Sequence, residues 1–455
     1  MKKAPRILAW IATTVAAAAW AGCSLTDPDV GLDADAVDAG DSFVDAFADA
    51  PPPGTSLWRI RAAGPGILRG YANAFVEADD GGVVLAGWVA LDASDSGTTW
   101  LARLGADGSL VWDETLAAGG VGWATAIAPH PEGGFLVAGG EVDAAFLRLD
   151  PAGRALWRRS ILGAGQDARA LASLDDGFLA AGSATDPHAA AAGPWIARLD
   201  VEARPRWQKR VAATGGIWQH GVVAARDGGI LAAAALGDDG DQGLWIARLD
   251  SDGSPAWQRR VDVGAGSRDN QPTVHEAANG DVVVTTTAGG VLVLRFDASG
   301  TLLRSLVIGP DGGQRGGYAI DGPDGGLIVA AMENVFTPEG YNLWLLGLSA
   351  DGTLLWQKSV PDEAPEDATG LLPSHDGGFL ALSGGCCCSV VAKLRLDGSF
   401  DAPCAAFAET RASAVHVPLE AHDPGFAVED LPPQVAEDGL PVVQPASSTV
   451  ELTCP

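Results

Sequence analysis

WIARLDSDGSPAW, residues 245–257, is the stretch whose reading decides the architecture. Two short apolar runs flank a turn of Asp, Ser and Gly, which is the pattern of a β-hairpin. It recurs with small changes as WLARLGADGSLVW (100–112), FLRLDPAGRALW (146–157), WIARLDVEARPRW (195–207) and WLLGLSADGTLLW (344–356). A second signature stands ahead of each copy: GGVVLAGW from Gly81, GGFLVAGG from Gly133, GGILAAAA from Gly228, GGLIVAAM from Gly325 and GGFLALSG from Gly377. Degenerate copies, DGFLAAGS from Asp176 and NGDVVVTT from Asn279, fill the gaps. Self-similarity at a nearly fixed period points to a repeat architecture before any single residue is interpreted.

The last residue of the hairpin recurs at Trp58, Trp112, Trp157, Trp207, Trp257, Arg304 and Trp356, 45 to 54 residues apart. Each unit divides into four short strands, a to d; in the second unit they are expected at 124–128, 134–138, 145–149 and 155–161. Four strands in that length, repeated, are the signature of a β-propeller blade. Strand d occurs first at 57–60 with no a, b or c before it. Strand c occurs last at 390–394 with no d after it, because Pro403 and Cys404 break the pattern. The expectation is therefore an all-β, seven-bladed propeller of four-stranded blades over residues 55–403, with the outer strand of the last blade supplied by the N-terminus. Tryptophan at one place on every outer strand is expected to pack between blades, and the paired glycines to permit tight a–b turns.

The chain of 455 residues carries a formal net charge of −29. Such acidity repels phosphate backbones, so nucleic acid is excluded as a partner. Residues 1–23 have the form of an export signal: Lys2 and Lys3, an apolar core over 7–20, then Trp20-Ala21-Gly22-Cys23. That ending resembles the bacterial lipobox, which implies lipidation at Cys23, export, attachment to the membrane through the lipid and, with Ser24 following, the outer membrane. Loss of Lys2, Lys3 and Arg6 with the signal leaves −32. Residues 24–54 hold eight aspartates, no Lys or Arg, and Pro51-Pro52-Pro53. Like charge with few large apolar groups cannot offset ordering entropy, so this stretch is expected to be a disordered tether.

Residues 404–455 leave the repeat and form a tail bracketed by Cys404 and Cys454, expected to pair as a disulfide in an exported protein. Runs 413–417 and 448–452 are candidates for strands laid against the ring. Cys386, Cys387 and Cys388 stand between strands b and c of the seventh unit. A vicinal disulfide is one reading there; a small apolar turn is the blander one and is favoured. Metal binding is not expected, since adjacent cysteines lack ligand spacing. No Gly-x-Ser-x-Gly elbow, phosphate loop or HExxH occurs, so no catalytic residue and no cofactor is assigned.

The motif LD-x-DG-xxx-W resembles the repeat of the PQQ-type propellers, although the turn here is one residue shorter and those families typically close with eight blades. More broadly, residues 55–402 are similar to repeat-bearing propeller lipoproteins of myxobacterial type. The first likeness implies a quinoprotein-like dehydrogenase as one alternative, and an outer-membrane assembly scaffold as another. The residues themselves favour a non-catalytic, monomeric envelope lipoprotein that binds an unidentified protein or glycan. The d–a and b–c loops of a propeller share one face, and they place Trp123, Trp218, His220, Arg268, Arg315 and Tyr318 on a candidate binding rim. For Trp123 and Trp218, packing at the start of an inner strand stands as an equal alternative.

Overall fold

The computed structural model describes residues 54–62, 67–91, 97–118, 120–140, 143–162, 167–185, 192–213, 217–237, 243–263, 272–309, 315–334, 341–360, 366–385, 388–400, 412–432 and 434–454. The expected signal and tether therefore lie outside them, except Gly54. Among the described residues the strands form seven antiparallel sheets. In the second blade, strands a to d are Ala124–Pro129, Phe135–Gly139, Ala144–Leu149 and Ala155–Ile161, within a residue of the expected bounds. Every blade contacts the next through its inner strands, and the seventh contacts the first, so the sheets close into a ring. No described helix is long and apolar enough to cross a membrane.

The core follows from this arrangement. A sheet standing between two others is apolar on both faces, which is why strands b and c read as nearly unbroken hydrophobic runs. Seven apolar clusters result, each shared by two successive blades. The first tryptophan of the hairpin motif fills their centres: Trp100, Trp195, Trp245 and Trp344 are fully buried, as is Phe146 in the second blade.

The other end of the motif joins blades. Its turn is a type I turn with a left-handed fourth residue, Gly108, Gly153, Gly253, Gly300, Gly352 or Gly398. Each of these glycines faces the strand-d Trp, or its Arg304 substitute, of the preceding blade. A Cβ at Gly108 would overlap the Trp58 indole, and at Gly153 it would stand 2.7 Å from Trp112. The third blade, whose LDVEAR turn lacks glycine, holds Ala203 at φ 54° against Trp157 instead. Trp207 and Trp257 also donate Nε1–H to the next blade's turn, at Ser251 O (3.1 Å) and Ala298 O (3.0 Å).

Two expectations about the ends require correction. The blades are not four-stranded: six of the seven sheets have five strands, and only the sixth blade has four among the described residues. The extra strand comes from the tail. Ala414–His416, Ala421–His422, Val428–Asp430, Val435–Asp438, Val442–Pro445 and Thr449–Cys454 pair with strand d of blades five, four, three, two, one and seven. The tail thus runs backwards around the outside of the ring as a belt, and its strands begin seven residues apart each time. The physical reason is that strand d of a four-stranded blade leaves a row of unpaired N–H and C=O groups, which the belt satisfies. Consequently the N-terminal strand Ser56–Arg61 is the fourth strand of blade seven rather than its outermost. It pairs on one side with strand c (Trp58↔Val391) and on the other with the end of the tail (Trp58↔Leu452).

The second correction concerns disulfides. Among the described residues no cysteine pair comes to bonding distance. The backbone of Cys454 is opposite Leu57 in the outer strand of blade seven, while Cys404, like Cys386 and Cys387, lies outside the described residues. Cys388 is a buried thiol. What holds the tail is the ladder of strand pairs, reinforced by charge. It has seven acidic residues after Arg411 and no Lys or Arg. Arg159 pairs with Glu437 (2.9 Å), Arg158 with Asp438 (2.5 Å), Lys209 with Asp430 (3.0 Å) and Arg210 with Glu429 (2.6 Å).

Candidate binding rim

A residue that recurs at the same place in every blade is explained by the blade, so the rim is what remains after those positions are removed. Three recurring polar systems are structural in this sense. At the a–b turns, the Asp of the Asp-Gly pair meets the basic residue of strand c: Arg103–Asp80 (2.7 Å), Arg198–Asp176 (3.0 Å), Arg248–Asp227 (2.7 Å) and Lys393–Asp376 (2.7 Å). On the same face, an acid ending strand a caps a backbone N–H of the preceding blade. Glu77 accepts from His375 N (2.7 Å) and Ser374 Oγ (2.8 Å), and Glu276 from Arg226 N (2.7 Å). These arrangements account for the Asp-Gly pairs of the a–b turns by structure.

The third system surrounds the ring's inner strands near the d–a loops. Strand a carries a β-bulge there in several blades, between Ala72 and Ala74, Ala124 and Ala126, and Ala368 and Gly370. The bulged side chain turns to the next blade and bonds its backbone carbonyl: Asn73 to Ala124 O (2.8 Å), Thr125 to Ala168 O (2.5 Å) and Thr369 to Ala72 O (3.4 Å). Thr273 does the same to Gly317 O (2.8 Å). The bulge frees a side chain from the sheet faces, and the short polar Asn or Thr spans the gap between blades. The sequence signal is YANA, WATA and DATG, a second repeat within the d–a junctions.

The position two before the bulged residue varies from blade to blade: Tyr71, Trp123, Asp167, Trp218, Gln271, Gly316 and Asp367. It stands at the start of strand a, so those among the described residues, Gln271 lying outside them, border the mouth on the d–a side. Trp123 is here and is 40% exposed. Its indole stacks on Trp88, with centroids 5.0 Å apart and planes 5° from parallel. Trp88, at the end of strand b in blade one, is buried and meets Tyr71 edge-on at 5.4 Å, with the Arg69 guanidinium 5.6 Å from its ring centroid. Gly97 lies against the Trp123 Nε1 edge so closely that a Cβ there would overlap the ring. Trp123 is therefore both partly open and held in place.

One blade further round, Asp167 accepts from Ser183 N (2.8 Å) and Ser183 Oγ (2.6 Å) and pairs with Arg169 (2.6 Å). Burial pushes its carboxyl up, but the Arg169 charge and the two Ser183 bonds outweigh this and leave its pKa below 3.8, so the group stays charged. Across the ring, burial pushes the Glu333 carboxyl up against an opposing Ser359 bond, and Ser359 also accepts from Asn342 (3.0 Å).

Of the expected rim residues, Trp123 and Tyr318 are described in full, and both stand at the d–a ends of inner strands; Tyr318 is half-buried against the core of blades six and seven. Trp218, His220 and Arg315 are placed by backbone alone, on strands Ile217–Ala224 and Arg315–Asp321 at the same level. Arg268 lies outside the described residues. Sequence reasoning passed over Trp88 and Arg69. The signal was present: the last residue of GGVVLAGW is Gly140, Ser183, Ala235, Thr286, Met332 or Gly384 in the other copies, and only the first has an aromatic.

No protein-family model and no curated protein matches the chain. Among solved structures it is similar to a protein of unknown function from Bacteroides caccae, at 15% identity over 67% of this chain and 93% of that one, TM-score 0.38. It is similar to Sqt1 from Chaetomium thermophilum, at 12% identity over 76% and 99% of the chains, TM-score 0.44. A third is the holo form of the PQQ domain of pyranose dehydrogenase from Coprinopsis cinerea, at 11% identity over 76% and 99%, TM-score 0.36. None of these likenesses assigns an activity to this chain.

Proposed function

We propose that this protein is an exported, lipid-anchored envelope propeller that binds a partner at its d–a/b–c mouth and catalyses no reaction. The observation that carries the reading is the stacked pair Trp88–Trp123, an exposed aromatic fixed on a buried one. The fold gives no reason for it, since Trp88 has no aromatic counterpart in the other six blades. Aromatic groups held rigidly on a scaffold are favoured contact residues because little entropy is lost when a ligand covers them. The Cys23 lipid and the acidic stretch after it would hold the ring off the membrane surface as a tethered domain.

The test is chemical cross-linking in intact cells followed by purification from membranes, comparing the natural chain with Trp123→Ala. A partner or glycan recovered with the first and lost with the second supports the reading; identical recovery would refute it. Anchoring is separable: Cys23→Ala should move the protein from the membrane to the soluble envelope fraction, and unchanged fractionation would remove the lipid from the account.

A further inference from the structure

The geometry points to a neutral sugar ring as the ligand of the Trp123 platform, an inference that rests on the mouth being a binding face. A pyranose presents an apolar C–H face of about one ring's area and a rim of hydroxyls. The platform matches both parts. Trp123 exposes 40% of its surface, roughly 100 Å² for a side chain of this size. That suits the face of one sugar ring. The indole is already immobile, between Trp88 behind it and Gly97 at its edge, so stacking a ring on it orders nothing new.

Charged groups stand at the same end of the inner strands. Arg69 is exposed next to Trp88, and Arg169, in the neighbouring blade, is 42% exposed while its Asp167 partner stays ionised. A guanidinium and a carboxylate together donate to and accept from adjacent hydroxyls, and both are fixed before any ligand arrives. The net charge of −29 weighs against uronic acids, sulfated sugars and phosphate-bearing polymers. A neutral glycan is what remains.

The full chain would be titrated with cellohexaose, maltohexaose, xylohexaose, mannohexaose and chitohexaose up to about 10 mM, with hexagalacturonate as the anionic comparison, following tryptophan fluorescence and heat. At least one neutral hexamer should bind and hexagalacturonate should not. Trp123→Ala should weaken that binding about ten-fold or more, as loss of a central aromatic contact does. Trp123→Phe, which keeps a ring, should fall between. All three proteins should still unfold cooperatively, with Trp123→Ala melting somewhat below the natural chain because it loses the stack on Trp88. Binding untouched by Trp123→Ala, or preference for hexagalacturonate, would overturn the inference. If no neutral hexamer binds but the cross-linked partner is a protein lost with Trp123→Ala, the sugar assignment fails and the binding face stands. If neither is seen, both fail.

Discussion

At the residue scale, the turn glycine and the tryptophan one blade behind it form the repeating joint of the ring. Gly108 combines φ 81° with a Cβ direction pointing into the fully buried Trp58 indole. Gly108→Ala therefore adds a left-handed backbone penalty to a steric one, and should cost about 2–4 kcal/mol in unfolding free energy, measured by urea denaturation. Ala203→Gly is the reverse change at the equivalent position. It relieves φ 54° but gives the unfolded chain more freedom, so its effect should stay within about 1 kcal/mol of zero. If Gly108→Ala proved as mild as Ala203→Gly, the turn would not be pressing on the tryptophan.

At the element scale, the belt is held by strand pairing and by an acid-on-base contact, and the second part titrates. Glu437 has its pKa lowered below 4.5, first by the bond from Arg159, then by the charges of Arg159 and Arg204. A carboxylate whose folded pKa is depressed adds stability that is present above its unfolded value and is lost as pH falls through the folded one. The belt should therefore loosen below about pH 4.5, and sooner in high salt, which screens exposed pairs. Hydrogen-exchange protection of the amides in 435–438, relative to their intrinsic rates at each pH, should fall on acidification while that of strands b and c does not. Uniform exchange across both would mean that the belt opens only with the whole ring. Arg159→Leu should reproduce the local loosening at neutral pH.

The belt is also where the sequence was hardest to read. Strands b and c announce themselves because both faces are buried, and the hairpin motif because Gly and Trp are each required at one spot. A belt strand of two to six residues buries few side chains; it is selected by main-chain pairing, which almost any residue satisfies. Runs 413–417 and 448–452 read as strands and are the two ends of the belt, but the four strands between them leave only spacing, the distance from one blade edge to the next covered in seven residues. Trp123 was legible as a rim residue from its place before an inner strand. Trp88 was not singled out, although its departure from the repeat is what distinguishes it. The cysteines misled because pairing was inferred from compartment and bracketing, with no constraint on distance.

At the scale of the whole molecule, both ends of the propeller meet in blade seven. Strand Ser56–Arg61 lies between the last c strand and the last tail strand, so the chain locks its own seam from two sides. Opening it would expose two apolar sheet faces and two strand edges at once. The body should consequently unfold as one unit, and the rim inherits its rigidity from that closure.

The most direct measurement compares melting temperatures of two truncations, one lacking residues 24–53 and one lacking 24–61. The first removes none of the described strands and should melt with the full chain. The second removes Trp58 and the ladder on both sides of it. Loss of that buried aromatic alone costs about 3–5 kcal/mol, so the transition should fall by roughly 5 °C or more. Equal melting temperatures for the two truncations would contradict closure of the ring by its N-terminal strand.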